Sequence, residues 1–274
     1  MELDILSYKR DIAPTFLCIY GGEKTGKTTT LASLLHEEVD GQILEPESRM
    51  HIVDVDHGLE GFINRWVSKG KPITKDGNTI SIPQVDIEVV NNLQEFHEAV
   101  WVLPEGYRYY VIDSFTRAGK FFIKKVQPKQ EPGYRHRNAN MDISYLFEDY
   151  IDRFEELNWQ LQKNDAWLII ICHERRKDAW GDSDERIEPL LFGAAGQKLD
   201  RVVTGIWRLQ LVTKETPSGW VTGRQFRTAQ TSTIIAGDRT GALDEVEPAN
   251  IARCIRKIEK FRALNPTKET QNGK

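Results

Sequence analysis

The sequence has few cysteines, no long apolar run and no excess of positive charge. Its three cysteines, Cys18, Cys172 and Cys254, form no CxxC pair and are odd in number. That argues against a disulfide framework and against a thiolate metal site. Two of them fall in apolar, strand-like runs and read as reduced, buried thiols of a cytoplasmic protein. The longest apolar run, AWLIIIC, has seven residues. Spanning a bilayer takes about 20, so no membrane partner is expected. The opening stretch MELDILSYKRD lacks the basic-then-apolar order of a secretion signal. A net charge of −4 and a pI near 5.9 argue against a uniformly basic nucleic-acid binder. Local basic loops remain open, because the field of a protein depends on where its charges sit.

What is present is an alternation of strand-like and helix-like segments along 274 residues. TFLCIYG, HIVDVD, VDIEVV, YYVIDSF and AWLIIICHE read as strands. Lys27 to His36, Leu93 to Leu103, Thr116 to Val126 and Ile143 to Leu161 carry apolar residues at helical spacing. PITKDGNTISI reads as a small hairpin turning at Asp76-Gly77-Asn78, and a short helix holds Leu59, Phe62 and Trp66. QPKQEPGYRHRNANM and Arg175 to Gly196 read as two polar loops. GIWRLQLV and WVTGRQFRTAQT read as antiparallel strands around Pro217-Ser218-Gly219. A last helix carries Ile251, Cys254, Ile255, Ile258 and Phe261. The alternation predicts an α/β fold, a mainly parallel sheet with helices on both faces and antiparallel strands at the carboxyl-terminal edge. The expected organisation is a segment over residues 1–14, one core over 15–262 and a flexible tail over 263–274.

At Ile19 the chain reads IYGGEKTGKTTTL, three glycines, two lysines and four threonines directly after an apolar run. Gly21-x-x-x-x-Gly26-Lys27-Thr28 fits the phosphate-loop pattern in full, between a strand and a helix. Gly21, Gly22, Glu23, Lys24, Thr25, Gly26, Lys27, Thr28 and Thr29 are the expected nucleotide-binding residues. Backbone N–H groups of such a loop converge on phosphates. Lys27 reaches the outer phosphates, and Thr28 offers a hydroxyl to Mg²⁺, a cation that prefers oxygen ligands. The carboxylate such a site needs is Asp113, at the end of YYVIDS. ATP and Mg²⁺ are the expected ligands. The residue after Asp113 is Ser114, not an acid that activates water. The base then has to come from another strand, and Asp56 in HIVDVDHGLEG is placed for it. Asp56 is equally a cap for the helix that starts near Gly58.

YGGEKTGKTTTL, IVDVDHGLEG, VIDSF and LIIICHE, in that order, resemble the RecA-type recombinase core over roughly Thr15 to Ser232. They are most similar to the compact RecA-core ATPases of bacteriophages, some of which are single-strand annealing proteins. The resemblance implies a RecA-like P-loop NTPase fold and places Lys27, Asp56 and His173 as catalytic residues. Asp56 takes the water-activating position, where the family usually has glutamate. His173 takes the position of a glutamine that senses the terminal phosphate and couples it to DNA. It also implies that Lys198, Arg224 or Arg227 reaches a neighbouring subunit's nucleotide, and so a homo-oligomer.

The family binds single-stranded DNA through two loops. Over Lys120 to Arg137 six basic side chains face one acidic one, with Tyr134 among them. Basic groups can follow a phosphate backbone while an aromatic stacks on a base. Lys124, Lys125, Lys129, Tyr134, Arg135 and Arg137 are the expected first-loop contacts. In the second loop Arg175, Arg176 and Lys177 are expected to contact DNA, although Glu174 to Glu188 holds six acids against four bases. The leading expectation is an ATPase of recombination or repair, with hydrolysis coupled to single-stranded-DNA binding or annealing. Single-strand-binding or replication proteins are expected partners. Two alternatives stay open: a nucleotide-gated assembly or regulatory protein with little hydrolysis, and a small-molecule kinase with RHRNAN as its lid.

Overall fold

The computed structural model describes residues 15–35, 37–39, 42–44, 49–59, 62–63, 74–76, 79–82, 84–126, 136–177, 186–191, 194–217 and 219–265. In chain order the strands are β1 (Phe16–Gly21), β2 (Glu37–Val39), β3 (Gln42–Leu44), β4 (Met50–Asp54), β5 (Thr74–Asp76), β6 (Thr79–Ile82), β7 (Val85–Val89), β8 (Tyr109–Asp113), β9 (Trp167–Lys177), β10 (Arg186–Pro189), β11 (Gly205–Thr216), β12 (Gly219–Arg227), β13 (Gly237–Asp238) and β14 (Val246–Pro248). The helices are α1 (Lys27–Thr30), α2 (Leu93–Trp101), α3 (Phe115–Val126), α4 (His136–Gln162), α5 (Ala195–Val202) and α6 (Ile251–Leu264).

Twelve strands form one sheet in the order β14-β12-β11-β1-β9-β8-β4-β7-β6-β5, with β10 paired to β9 and β13 to β11. From β11 to β7 every pairing is parallel. Antiparallel strands flank this centre on both sides, β12 and β14 at one edge and β6 and β5 at the other. The first set are the expected carboxyl-terminal strands, and the second includes the expected hairpin. β1 and β8 are not neighbours, because β9 lies between them. That insertion brings the end of β9 between the two halves of the phosphate site.

Strands covered on both faces read as unbroken apolar runs, and all six residues of β1 are buried. The pleat sends Phe16, Cys18 and Tyr20 into the core under α2, α3 and α4. Leu17 and Ile19 point the other way, into the core shared by Leu31, Leu34 and the apolar face of α6. Capping marks the helix starts. Asn92 accepts from Glu95 N at 3.0 Å, and Glu95 in turn accepts from Asn91 N at 2.8 Å. Asn250 accepts from Arg253 N at 2.9 Å. Each bond satisfies a donor that the first helical turn leaves without an internal partner.

Several elements differ from their expected extents. The helix after the phosphate loop has a single α-turn and then tightens into a 3₁₀ turn over Leu31–Leu34. Three consecutive threonines explain this, because β-branched side chains crowd the preceding turn. The first polar loop ends earlier than expected, since α4 begins at His136 and Arg137 lies on it. The second does not begin at Arg175, because β9 runs on to Lys177 and β10 pairs back along it. That ribbon forms because Ile187 and Pro189 bury one side of β10 while its charges pair across to β9. α6 continues through Leu264. Trp66, Gly77, Asn78, Lys129, Tyr134, Arg135, Trp180, Ser218 and residues 1–14 and 266–274 lie outside the described residues. Among the described residues no helix is long and apolar enough to cross a membrane.

A cluster of aromatic rings lies under α4. The Phe147 ring meets Phe115 edge-on at 5.1 Å between centroids and Phe122 at 4.8 Å. All three rings are fully buried. Phe147→Ala leaves a cavity between two helices and should cost roughly 3–5 kcal/mol. Denaturant unfolding measures this, and a loss below roughly 1 kcal/mol would mean that the helices close over the gap.

Candidate active site

The carboxyl ends of β1, β9, β8 and β4 lie side by side, and the polar residues of the sequence motifs gather there. The loop after β1 turns through left-handed backbone at Lys24 (φ 57°) and Gly26 (φ 93°). Such turns aim successive N–H groups into one concavity. A side chain at Gly26 would also collide with Arg224, whose Nε stands 2.8 Å from where the Cβ would be. At Gly21 the obstacle is the Leu209 carbonyl, at 2.5 Å. The glycines of the motif therefore allow close approach by β11 and β12 as well as the turn itself.

Lys27 is buried, and its Nζ donates to the carbonyls of Gly21 (3.0 Å) and Gly22 (2.8 Å). The ammonium is thus held across the mouth of the loop. Burial lowers its pKa, against the pull of Asp113. The Thr28 hydroxyl donates to Asp113 Oδ2 at 2.5 Å. Thr25 closes the turn by donating to Gly22 O at 2.9 Å. Glu23 and Lys24 are exposed, and Thr29 is half-buried.

Asp113 is buried at the end of β8. Burial pushes its carboxyl up to about 6, with Asp54 and Asp56 adding to the rise and the Thr28 bond opposing it. A buried carboxylate beside two others fits a cation. Among the described residues no group of three or more His, Cys, Asp or Glu could hold a metal by itself. An ion here would rest on Thr28 Oγ1, Asp113 and oxygens of a substrate. Those are hard donors, the set that magnesium takes beside phosphates. Bound there, the ion would neutralise phosphate charge.

Asp56 follows β4 and stands in front of the ends of β8 and β9. Its backbone N donates to Asp113 O at 3.3 Å. One carboxylate oxygen lies 2.9 Å from Arg117 Nε and the other 3.4 Å from His173 Nε2. Asp54 closes the turn after β4, its Oδ1 accepting from His57 N at 2.8 Å. The His173 main chain pairs with Gly21 across the sheet and donates to Thr116 Oγ1 at 3.0 Å. Burial lowers the pKa of its ring, and Lys27 and Arg117 lower it further.

The remaining candidates are dispersed. Arg224, expected to reach a neighbouring subunit, engages its own loop: Nε donates to Thr25 O at 2.7 Å. Lys198 pairs with Asp152 on α4 at 2.6 Å. Arg227 is half-buried at the end of β12, opposite Arg208. Lys124 and Lys125 are exposed on the last turn of α3. Arg175 and Lys177 both pair with Glu188, and Arg176 lies 3.6 Å from Glu174. Burial would raise the Glu188 carboxyl, but Arg175 and Lys177 outweigh it and hold the value low. Sequence reasoning missed Arg117, Thr116 and the Arg208–Glu174 pair at 2.9 Å. Each joins segments far apart in the chain, which no local pattern announces.

The position of Asp113 has a stability consequence. Its folded-state pKa is raised, so its contribution to stability is greatest below the ordinary carboxylate range and is lost as pH climbs through about 6. Above that the free chain carries a penalty of up to roughly 3 kcal/mol. Asp113→Asn should therefore raise the Tm of the nucleotide-free, metal-free chain by roughly 2–6 °C at pH 8. The gain should shrink toward pH 5. A thermal melt of both proteins across that range tests it, and a variant less stable at pH 8 contradicts it.

The family described as AAA domain matches residues 13–240. None of the curated proteins matches the chain. Among solved structures, the crystal structure of the RadB recombinase is similar at 15% identity, with a TM-score of 0.42, over 78% of this chain and 80% of that one. The phosphate loop after β1 and the interposed β9 form the core of a mainly parallel α/β sheet, and the matching family is one of P-loop ATPases. With that match covering more than half of its length, the chain belongs to the AAA domain family.

Proposed function

We propose that this chain is an ATP-dependent single-stranded-DNA-binding protein of recombination or repair, in which Mg²⁺-dependent ATP hydrolysis is coupled to DNA binding or annealing. The observation that carries the reading is the placement of Asp56 and His173. Both stand beside the phosphate loop, and each begins a path toward a basic surface. From His173, β9 runs directly into Arg175, Arg176 and Lys177. From Asp56 the contact with Arg117 leads along α3 to Lys124 and Lys125.

In this reading the loop N–H groups and Lys27 take the outer phosphates, with Lys27 exchanging two carbonyls for phosphate oxygens. Thr28 and Asp113 hold the magnesium ion. Asp56 orients and deprotonates the attacking water. His173, neutral near pH 7, donates one hydrogen bond to the terminal phosphate and so reports its presence to the ribbon. The ion pairs of Glu174 and Glu188 with the ribbon cations keep those cations ordered. DNA phosphates would compete for them, giving salt-dependent binding. Lys129, Tyr134, Arg135 and Arg137 complete the first DNA surface in this reading. The protein would act in the cytoplasm, of a host cell if phage-encoded, as a homo-oligomer and beside single-strand-binding or replication proteins. Lys198 and Arg227 remain the candidates for a cation supplied between subunits.

One observation favours a second reading, a nucleotide-gated regulatory protein with little turnover. Both oxygens of Asp56 are already engaged, and the residue after Asp113 is a serine.

Steady-state ATPase assays with and without single-stranded DNA separate the readings. Stimulation by DNA is expected, together with DNA binding when a non-hydrolysed ATP analogue is present. Absence of both would overturn the DNA-coupled reading. Lys27→Ala should lose nucleotide affinity and keep the far-UV circular dichroism of the parent. Asp56→Asn should keep ATP affinity and lose turnover by roughly 10²–10⁴-fold.

A further inference from the structure

Arg117 belongs to no motif, yet its guanidinium touches the carboxylate on which hydrolysis depends. We propose that Arg117 is the positioning residue for Asp56, holding that carboxylate toward the terminal phosphate within the same chain. The inference rests on Asp56 being the water-activating group, and goes beyond it by naming what orients that group.

Asp56 lies two residues beyond β4, in a bend. Its main chain is anchored by the bond from Asp56 N to Asp113 O, but its side chain is short and ends between a guanidinium and an imidazole. Of these, the His173 contact is the longer at 3.4 Å. A neutral imidazole contributes one hydrogen bond, whereas a guanidinium stays charged and offers a rigid fork of donors. Electrostatic hold on Asp56 therefore falls chiefly to Arg117, at 2.9 Å.

Arg117 is itself rigidly placed. It lies in the first turn of α3, immediately after the magnesium-site strand β8. Its N–H donates to Ser114 O at 3.0 Å, and Ala118 N donates to the same carbonyl at 3.3 Å. The neighbouring Thr116 hydroxyl donates to Leu190 O and accepts from His173 N, both at 3.0 Å. The start of α3 is thus fastened to β8, β9 and the segment after β10. A guanidinium on that base fixes Asp56 relative to Asp113, Lys27 and His173 together. The arrangement also fits an aspartate where a longer acid would reach further unaided. The Arg117 side chain is about one-third exposed, 34%, so it stands at the edge of the site rather than sealed beneath it.

The test compares ATP turnover of the full chain with Arg117→Gln, Arg117→Lys, Asp56→Asn and the Arg117→Gln/Asp56→Asn double variant, each with its Tm. For Arg117→Gln we expect kcat to fall roughly a hundredfold, the size of effect that a small misplacement of a reacting group produces. KM for ATP should stay within about threefold. Arg117→Lys keeps the charge and should recover at least about a tenth of the lost turnover. The double variant should be no slower than Asp56→Asn, because the two act through one carboxylate. Several results overturn the inference. If Asp56→Asn is inactive and Arg117→Gln turns over like the parent, Arg117 positions nothing, and the reading of Asp56 stands. If Arg117→Gln and Arg117→Lys lose activity equally and in step with Tm, the role is only structural. A rise in KM matching the fall in kcat would put the guanidinium on the nucleotide itself. If Asp56→Asn still hydrolyses ATP at the parent rate, the underlying reading fails and takes the inference with it.

Discussion

The Thr28–Asp113 hydrogen bond joins the phosphate loop to the strand two places away in the sheet. Everything else in the site is arranged around that closure. β9 passes between the two and runs on to Lys177, and the residue it carries level with the end of β1 is His173. β4 lies on the far side of β8, so a residue just past its end faces the same hollow, and that residue is Asp56. Parallel pairing from β1 through β4 keeps these ends level. A one-residue slip in any of them would turn its polar terminus toward the other face.

The same closure concentrates charge where solvent is scarce. Asp113 and Asp54 are driven toward their neutral forms by burial, and Lys27 is driven the same way from the opposite sign. A folded chain holding such groups is less stable than one with neutral residues in their places. The arrangement makes sense as a surface whose missing counter-charges arrive with the substrate. Phosphate oxygens would compensate Lys27, and a divalent cation would compensate Asp113. Binding energy is then available at the site itself, and P-loop proteins use that kind of energy to move loops and neighbouring strands.

Much of this was legible in the order of residues. The central strands announced themselves because burial on both faces demands unbroken apolar runs, as in FLCIY and WLIIIC. The phosphate loop was legible because its chemistry is local: glycine spacing, a lysine and a hydroxyl within eight residues. Asp113 followed from its place at a strand end. What escaped were contacts made by folding alone. Arg117 reads as an ordinary helix cation until β4 and α3 are brought together. Arg224 was assigned to a neighbouring subunit because nothing in WVTGRQFR shows that β12 lies over the loop of its own chain. The run from Arg175 to Lys177 looked like loop because polar, charged residues break the apolar pattern. It is strand because β10 supplies Glu188 opposite those charges.

That ribbon bears on how a nucleotide site can influence a distant surface. Glu174 and Glu188 are shared among Arg175, Arg176, Lys177, Arg186 and Arg208. Among the described residues five cations thus share two carboxylates, which hold them in place. The ribbon is continuous in the chain with His173, through Glu174, and continuous in space with β11 through Arg208. β11 also packs its Leu209 carbonyl against Gly21. The phosphate loop and the ribbon are therefore joined along two routes, one through β9 and one through β11.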